Sequence, residues 1–267
     1  QPGFRAVEAL AITKEQGEAW RKSGFGAALI APGGELLSGA SALATTRDAA
    51  MRDLVLRDEV FAHAAFTANG PSYPSTLMGY FAQLRQFFLD SQRQLELERR
   101  YAQGRPGLRP AFDASLDAGA ALVSGQRTLL CEASQSDDFE RWQRLADEFG
   151  LRLGFAGGSE AWRVQDELAR RGATVVLTLD WGKEVKDPRP KEDAKEDEAK
   201  AEEPKPEAAA AKPGETSEAT AAKADEPKEE ATAKEAAWQY DEPYAVRLER
   251  RLKWEKNRDC ALRLGEA

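Results

Sequence analysis

Two acidic residues, Glu132 and Asp180, each stand directly after a short apolar run that has the character of a buried strand. A carboxylate at the end of such a strand can bind a divalent metal ion or act as a general base. It can equally cap the next helix or pair with an arginine, and the sequence leaves both interpretations open. Glu132 and Asp180 are therefore the candidate catalytic residues.

The side chains that most often bind transition metals are scarce in this chain. It has one histidine, His63, within the apolar stretch 60–66, and two cysteines, Cys131 and Cys260. We expect His63 to be a hydrogen-bonded packing residue and both cysteines to lie in the core, without a disulfide framework. We also expect that this chain alone binds no catalytic divalent ion with high affinity.

A pair of glycines, Gly157 and Gly158, lies between an apolar run and Ser159. Free backbone N–H groups at a junction of this kind can bind an anion. A tight turn from strand to helix is the simpler interpretation, because no lysine or hydroxyl residue follows in the arrangement of a phosphate-binding loop.

The elements that position these residues lie between residues 127 and 181. Three apolar runs alternate there with two stretches whose apolar residues recur at helical spacing. The predicted strands are 128–131, 151–155 and 174–179, and the predicted helices are 136–148 and 159–171. Such strands are expected to be buried on both faces of a parallel sheet, with helices on both sides and an active site where the strands end.

The ends of the two helices also have sequence signals. Ser136 and Ser159 are expected to cap their first turns, and Gly150 and Gly172 to end them in the left-handed conformation. Upstream, Thr13 is expected to cap a first helix. The further predicted elements are a helix at 11–23, extended segments at 25–31, 36–44 and 54–65, and helices at 76–100 and 112–124.

Residues 186–236 differ from the rest of the chain in composition. They are almost entirely Ala, Glu, Lys, Asp and Pro, and they carry a net charge of −6 out of −8 for the whole chain. A segment with almost no aromatic or branched aliphatic side chains cannot bury enough apolar area to offset its conformational entropy, so we predict disorder. It is either an entropic surface loop or a binding arm. The remaining residues are nearly neutral and have no basic face of the kind that binds nucleic acid.

Four ordered stretches resemble the imidazolonepropionase-like amidohydrolases that occur as exported bacterial proteins. They lie at residues 20–43, which include the run GFGAALIAPGG, 73–90, which begin YPSTLMG, 145–162, which hold LADEFGLRL and GGSEAW, and 252–264, which begin LKWEKN. The resemblance covers nearly everything except the charged segment. It implies a partial TIM-like (β/α) barrel of the α/β class, with a long disordered insertion.

The resemblance also implies an activity. Amidohydrolases use one or two divalent ions, often zinc, to hydrolyse C–N bonds in small amides or cyclic amides. Their pattern needs an H-x-H pair on the first barrel strand, further strand-end histidines and an aspartate on the last strand. Here one ligand position holds Glu132 and the end of the next strand holds Ala156, Gly157 and Gly158. The metal ligands are therefore expected mainly outside this chain, which begins and ends like a piece of a longer protein.

Two functional interpretations follow. The chain is either part of a working metal-dependent amidohydrolase, or a degenerate barrel that serves as a binding or scaffolding domain, so the sequence leaves open whether it is an enzyme. An interaction module built around the acidic segment is a third class. The predicted division is 1–182 for the barrel portion, 183–236 for the insertion and 237–267 for a returning helix. No apolar run has transmembrane length, and the resemblance suggests an exported or periplasmic protein.

The predicted disorder of residues 186–236 can be tested by replacing them with a short Gly/Ser linker. Because loop-closure entropy grows slowly with length, the free energy of unfolding should change by no more than about 1 kcal/mol. Urea unfolding of both proteins measures the difference. A loss of several times that amount, or slow amide exchange within the segment, would show that it is ordered.

Overall fold

The computed structural model describes residues 1–67, 74–189 and 242–266. The chain divides into two compact units, of which the first comprises residues 1–183 and 254–267 and the second residues 184–253. The predicted disordered segment lies outside the described residues from position 190 onward. The predicted domain division therefore stays a prediction.

The helices and strands are numbered here in chain order. The helices are α1 (Lys14–Lys22), α2 (Met51–Leu54), α3 (Leu77–Ala102), α4 (Ala114–Val123), α5 (Ser136–Phe149), α6 (Gln165–Arg171), α7 (Tyr244–Arg258) and α8 (Cys260–Glu266). The strands are β1 (Ala27–Ile30), β2 (Leu37–Ala40), β3 (Ala42–Thr45), β4 (Val55–Arg57), β5 (Phe61–Ala64), β6 (Thr128–Ala133), β7 (Leu153–Gly157) and β8 (Thr174–Leu177). Short 3₁₀ turns lie at Ala6–Ala9 and Ala161–Arg163.

A five-stranded sheet with the order β2-β5-β6-β7-β8 is the centre of the first unit. Strands β5 to β8 are parallel, and β2 is antiparallel to β5. The predicted parallel βαβ arrangement is thus confirmed. Four boundaries differ: β6 runs to Ala133 and so includes Glu132, β7 begins at Leu153 and ends at Gly157, and β8 ends at Leu177, three residues before Asp180.

Only one face of this sheet packs against the helical core. Side chains alternate along each strand, so Leu129, Cys131 and Phe155 share the face that helix α5 covers, and all three are buried. On the opposite face Leu130 is buried, but Glu132 is exposed and Val176 is 46% exposed. The expectation that these strands are buried on both faces is therefore wrong for the described part of the chain.

The helix ends confirm most of the predicted signals. Thr13 and Gln16 form a reciprocal capping box at the start of α1. Gly150 and Gly172 end α5 and α6 with φ values of 69° and 59°, in the left-handed region that glycine adopts without strain. Thr76 caps α3 by accepting a hydrogen bond from the N–H of Gly79.

Two predicted caps are wrong. Gln135, not Ser136, is the N-cap of α5, and its N–H donates a hydrogen bond to the carboxylate of Asp138 at 3.4 Å. Residues 159–171 do not form one helix starting at Ser159. A 3₁₀ turn comes first, and Val164 has the non-helical φ of −120°, so α6 begins only at Gln165.

The predicted extended segment at 36–44 is divided between two sheets. Ser41 separates β2 from β3, and its buried hydroxyl donates to the carbonyl of Phe61 and accepts from the N–H of the same residue. Strand β3 then joins β1 and β4 in a three-stranded antiparallel sheet.

Helices α3 and α4 pack closely on each other, since a Cβ atom at Gly119 of α4 would lie only 2.7 Å from the ring of Phe87 of α3.

None of the helices in the described ranges is both long enough and apolar enough to cross a lipid bilayer.

Trp142 is the largest fully buried side chain of the core and provides a test of this packing. Its replacement by alanine should lower the free energy of unfolding by about 3–5 kcal/mol, because it leaves a cavity between α5 and the sheet. Chemical denaturation measures the loss. Arg144→Ala, at an exposed position of the same helix, is the control and should change stability by no more than about 0.5 kcal/mol. Similar small effects for both variants would contradict the observed core.

Candidate functional site

The carboxyl edge of strands β6, β7 and β8 holds the residues that the sequence singled out. Backbone hydrogen bonds join the segments that leave this edge: Gly158 donates to Ala133 at 2.8 Å, and Thr178 donates to Gly157 at 2.9 Å. The Gly157–Gly158 pair, with φ values of 106° and 69°, forms the tight turn between them. The N–H of Gly158 is thus engaged within the chain, which favours the interpretation as a turn over an anion site.

Glu132 lies in β6, on the face opposite the helical core. Its carbonyl oxygen accepts a hydrogen bond from Nε1 of the buried Trp142 at 3.1 Å, so the backbone at this position is held from the core side. The carboxylate is on the exposed side, and it makes no hydrogen bond or ion pair with any described residue. The sheet pairing places Ala156 beside Glu132 on β7, and Val176 beside Ala156 on β8.

Asp180 has a local structural role. It lies in the segment after β8, where Oδ1 accepts a hydrogen bond from the N–H of Gly182 at 3.0 Å. It also lines a cavity of about 20 Å³ together with Ser159, Thr178 and Asn257. That volume suits a single water molecule. Glu132 does not line this cavity, so the structure does not bring the two predicted catalytic carboxylates into one pocket.

A buried carboxylate that the sequence analysis missed, Glu160, connects the ends of two strands. Its Oε2 atom accepts a hydrogen bond from the N–H of Ser136 at 3.3 Å and lies 3.7 Å from Nε of Arg163. Its own N–H donates to the carbonyl of Ser134 at 3.0 Å. A carboxylate at the start of α5 is stabilised by the positive end of the helix. Its position two residues after the glycine pair was the available signal.

His63 lies on the same face of the sheet as Glu132. It pairs with Leu130 of β6, and Glu132 lies two residues further along β6. The side chains of His63 and Glu132 therefore point to the same face of the sheet. The imidazole is half-buried, and its Nε2 atom has no hydrogen-bond partner among the described residues. Burial lowers the pKa of His63. The expected packing histidine is present, but the expected hydrogen bond at Nε2 is not found in the described part of the chain.

Both cysteines are buried and free, as predicted. Cys131 belongs to the core between β6 and α5, and burial raises the pKa of its thiol. The Sγ atom of Cys260 lies 3.4 Å from the carbonyl oxygen of Gly158, to which the thiol donates. Burial also raises the pKa of Cys260. These are the properties of packing residues rather than of reactive thiols.

The described residues do not provide a metal site. Within residues 1–67, 74–189 and 242–266, no group of three His, Cys, Asp or Glu side chains could hold an ion. Leu130 and Ala156 lie beside Glu132 on its face of the sheet and cannot bind a metal, and His63 on the neighbouring strand is the nearest metal-ligating type on that face. A metal ion bound near Glu132 would thus need most of its ligands from outside the described residues.

No protein-family model and no curated protein sequence matches this chain. Among solved structures it is similar to an amidohydrolase from Thermotoga maritima MSB8, with a TM-score of 0.60 and 21% sequence identity. The similarity covers 70% of this chain and 50% of that chain, so the chain spans about half the length of this amidohydrolase. The likeness shows the fold alone: the matched part of the chain has the same α/β fold as the corresponding half of that structure.

The lowered pKa of His63 has a consequence for stability. The unfolded chain has the ordinary pKa of about 6.5, so as the pH falls it takes up the proton before the folded chain does. The contribution of neutral His63 to the free energy of unfolding is complete above the pKa that this residue has in the unfolded chain. It is lost as the pH falls towards the lower pKa that His63 has in the folded chain. Between about pH 7.5 and about pH 5.5, the melting temperature should therefore fall more in the unsubstituted chain than in His63→Gln. Thermal unfolding at both pH values gives the comparison.

Equal losses in both proteins would show that His63 titrates in the folded chain as it does in the unfolded one. Because His63 is the one histidine of the chain, the difference between the two proteins isolates its contribution.

Proposed function

We propose that this chain forms one wall of an amidohydrolase-like hydrolase that acts on C–N bonds of small amides or cyclic amides, with Glu132 facing the substrate side. The observation that carries this proposal is the position of Glu132. Its carboxylate is exposed and has no partner among the described residues, near the carboxyl edge of a parallel sheet in an amidohydrolase fold. Enzymes built on parallel barrels place their chemistry at this edge.

The proposed architecture is a TIM-like (β/α) barrel to which this chain contributes the strands β5 to β8. The helices cover one face of the sheet, as they cover the outside of a barrel, and the opposite face is open in the described residues. The similar amidohydrolase is about twice as long as the region matched here. Further strands from the rest of the protein would turn the open face, with Leu130, Glu132 and Val176, into a barrel interior.

Metal dependence is part of the proposal for the whole protein and not for this chain alone. Amidohydrolases use a divalent ion such as zinc to supply hydroxide for attack on the carbonyl. The described residues do not fit a complete ion site, so this chain's own part is limited to Glu132. That carboxylate would either complete a ligand set formed elsewhere or accept a proton as a general base. The exported or periplasmic location suggested by the sequence resemblance is likewise a proposal.

A second candidate is a degenerate barrel that binds a ligand or a partner without hydrolysis. The apolar side chains of Leu130, Ala156 and Val176 favour it, because on the same face as Glu132 and His63 they provide surface that suits the binding of a ligand. Both candidates place the functional surface on the same face of the sheet. They differ in whether Glu132 takes part in a reaction or only in contact with a bound molecule.

The substitution Glu132→Gln in the full-length protein tests the role of the carboxylate. It keeps the size of the side chain and removes only its charge, so melting should be nearly unchanged. Amide hydrolysis, or ligand binding in the second case, should fall by at least about tenfold, which corresponds to about 1.4 kcal/mol. Kinetics against a panel of small cyclic and linear amides, together with thermal unfolding, provide the measurement.

The matched control is Glu140→Gln, which removes a carboxylate from the exposed side of α5. It should change neither hydrolysis nor binding. If Glu132→Gln instead lowers stability and keeps full activity, Glu132 is a structural partner and the site assignment is wrong.

A further inference from the structure

The connection between α3 and α4 forms a basic protrusion on the first unit. Residues 99–112 contain no acidic residue and four arginines, Arg99, Arg100, Arg105 and Arg109. Every residue from 99 to 109 is exposed, and α3 has no buried residue after Ser91. We call residues 99–112 the arginine tip. Because it protrudes and does not enclose a groove, it suits a partner with a broad surface.

Hydrogen bonds hold the backbone of the arginine tip at both ends. Gly104 follows the end of α3 in the left-handed region, with φ of 70°, and its N–H donates to the carbonyl of Tyr101 at 2.9 Å. On the return, Nε2 of Gln94 donates to the carbonyl of Ala111 at 3.1 Å. Asp113 then caps α4. A surface that the chain itself orders loses less conformational entropy when it binds a partner.

Most of the charge of the arginine tip is not neutralised by its neighbours. Arg99 lies 3.6 Å from Glu96, one turn earlier on α3, in an exposed pair of the kind that contributes little. The other carboxylate nearby, Glu98, accepts a hydrogen bond from the amide of Gln94. Three arginines make no ion pair with any described residue, namely Arg100, Arg105 and Arg109. In a chain with a net charge of −8, this cluster would direct the tip towards an anionic surface.

Large apolar side chains stand exposed among these arginines. Leu108 is 96% exposed, Phe112 is 82% exposed, and Tyr101 is about half exposed. Basic residues that meet lipid headgroups, beside apolar and aromatic side chains that enter the boundary with the acyl chains, are the composition of an interfacial membrane anchor. A soluble polyanion would use the arginines and leave Leu108 in water. The combination therefore favours a lipid surface.

We propose that the arginine tip binds the surface of a membrane that contains anionic phospholipids. Arg100, Arg105 and Arg109 contact the phosphate groups, and Leu108 and Phe112 enter the boundary between headgroups and acyl chains. This inference goes beyond the proposed function and does not depend on it, because no residue of the tip belongs to the sheet that carries Glu132.

Co-sedimentation of the 267-residue chain with lipid vesicles tests the proposal. Vesicles of phosphatidylcholine that contain about one third phosphatidylglycerol should bind the chain at least about tenfold more tightly than vesicles of phosphatidylcholine alone, because the unpaired arginines are attracted only by the anionic headgroups. Binding should weaken as the salt concentration rises from about 0.05 M to about 0.5 M, since salt screens this attraction.

Two variants separate the contributions of charge and of apolar contact. The double variant Arg105→Gln/Arg109→Gln should bind the anionic vesicles at least about tenfold more weakly, and Leu108→Ser at least about threefold more weakly. The matched controls are Arg144→Gln on α5 and Met78→Ser at the start of α3, both at exposed positions outside the tip. Both should bind like the unsubstituted chain. Thermal unfolding should be nearly the same for all four variants, because each changes only exposed side chains.

The proposal is overturned if the chain sediments with neither kind of vesicle, if it binds both kinds equally, or if the double arginine variant keeps full affinity. If Leu108→Ser keeps full affinity, the tip recognises charge alone, as a site for an acidic polypeptide or a nucleic acid would, and the assignment to a membrane surface is wrong. None of these measurements uses amide hydrolysis, so their outcome is separate from that of the proposed function.

Discussion

The burial of Trp142 is the interaction on which the arrangement of the sheet depends. Its ring stacks on Phe66, with 4.0 Å between the ring centroids, and its N–H is satisfied by the carbonyl of Glu132. The indole therefore ties α5 to β6 and to the segment that follows β5. Because the core side holds the backbone of Glu132, the carboxylate of that residue is directed to the opposite face.

Successive side chains of each strand point to opposite faces of the sheet, so packed and exposed positions alternate along the strand. Cys131 and Ala133 fill the space under α5, and the residue between them, Glu132, is left without a packing role. The turn after β7 shows the reverse arrangement, in which the carboxylate of Glu160 is used to join two strand ends. Glu132 and Glu160 near one edge of the sheet thus have opposite environments: Glu132 is exposed and Glu160 is buried.

Most of the fold could be predicted from the sequence because its signals are local. Gly150 and Gly172 end their helices as expected, and the apolar runs at 128–131 and 174–179 became neighbours of β7 in a parallel sheet. Two failures concern the residue at which a helix begins. The N-cap of α5 is Gln135 and not the predicted Ser136, and the helix expected to start at Ser159 starts only at Gln165. Hydrophobic periodicity also could not predict that Glu132 and Val176 would be exposed on one face of the sheet, because the burial of a face depends on the elements that pack on it.

His63 gives this chain a spectroscopic property. It is the one imidazole in the sequence, and it lies on the open face of the sheet, one side-chain level from Glu132. Its ring protons therefore produce imidazole signals that need no assignment against other histidines. Any molecule, ion or polypeptide that covers this face would change the environment of this one imidazole, so its binding can be followed directly during a titration.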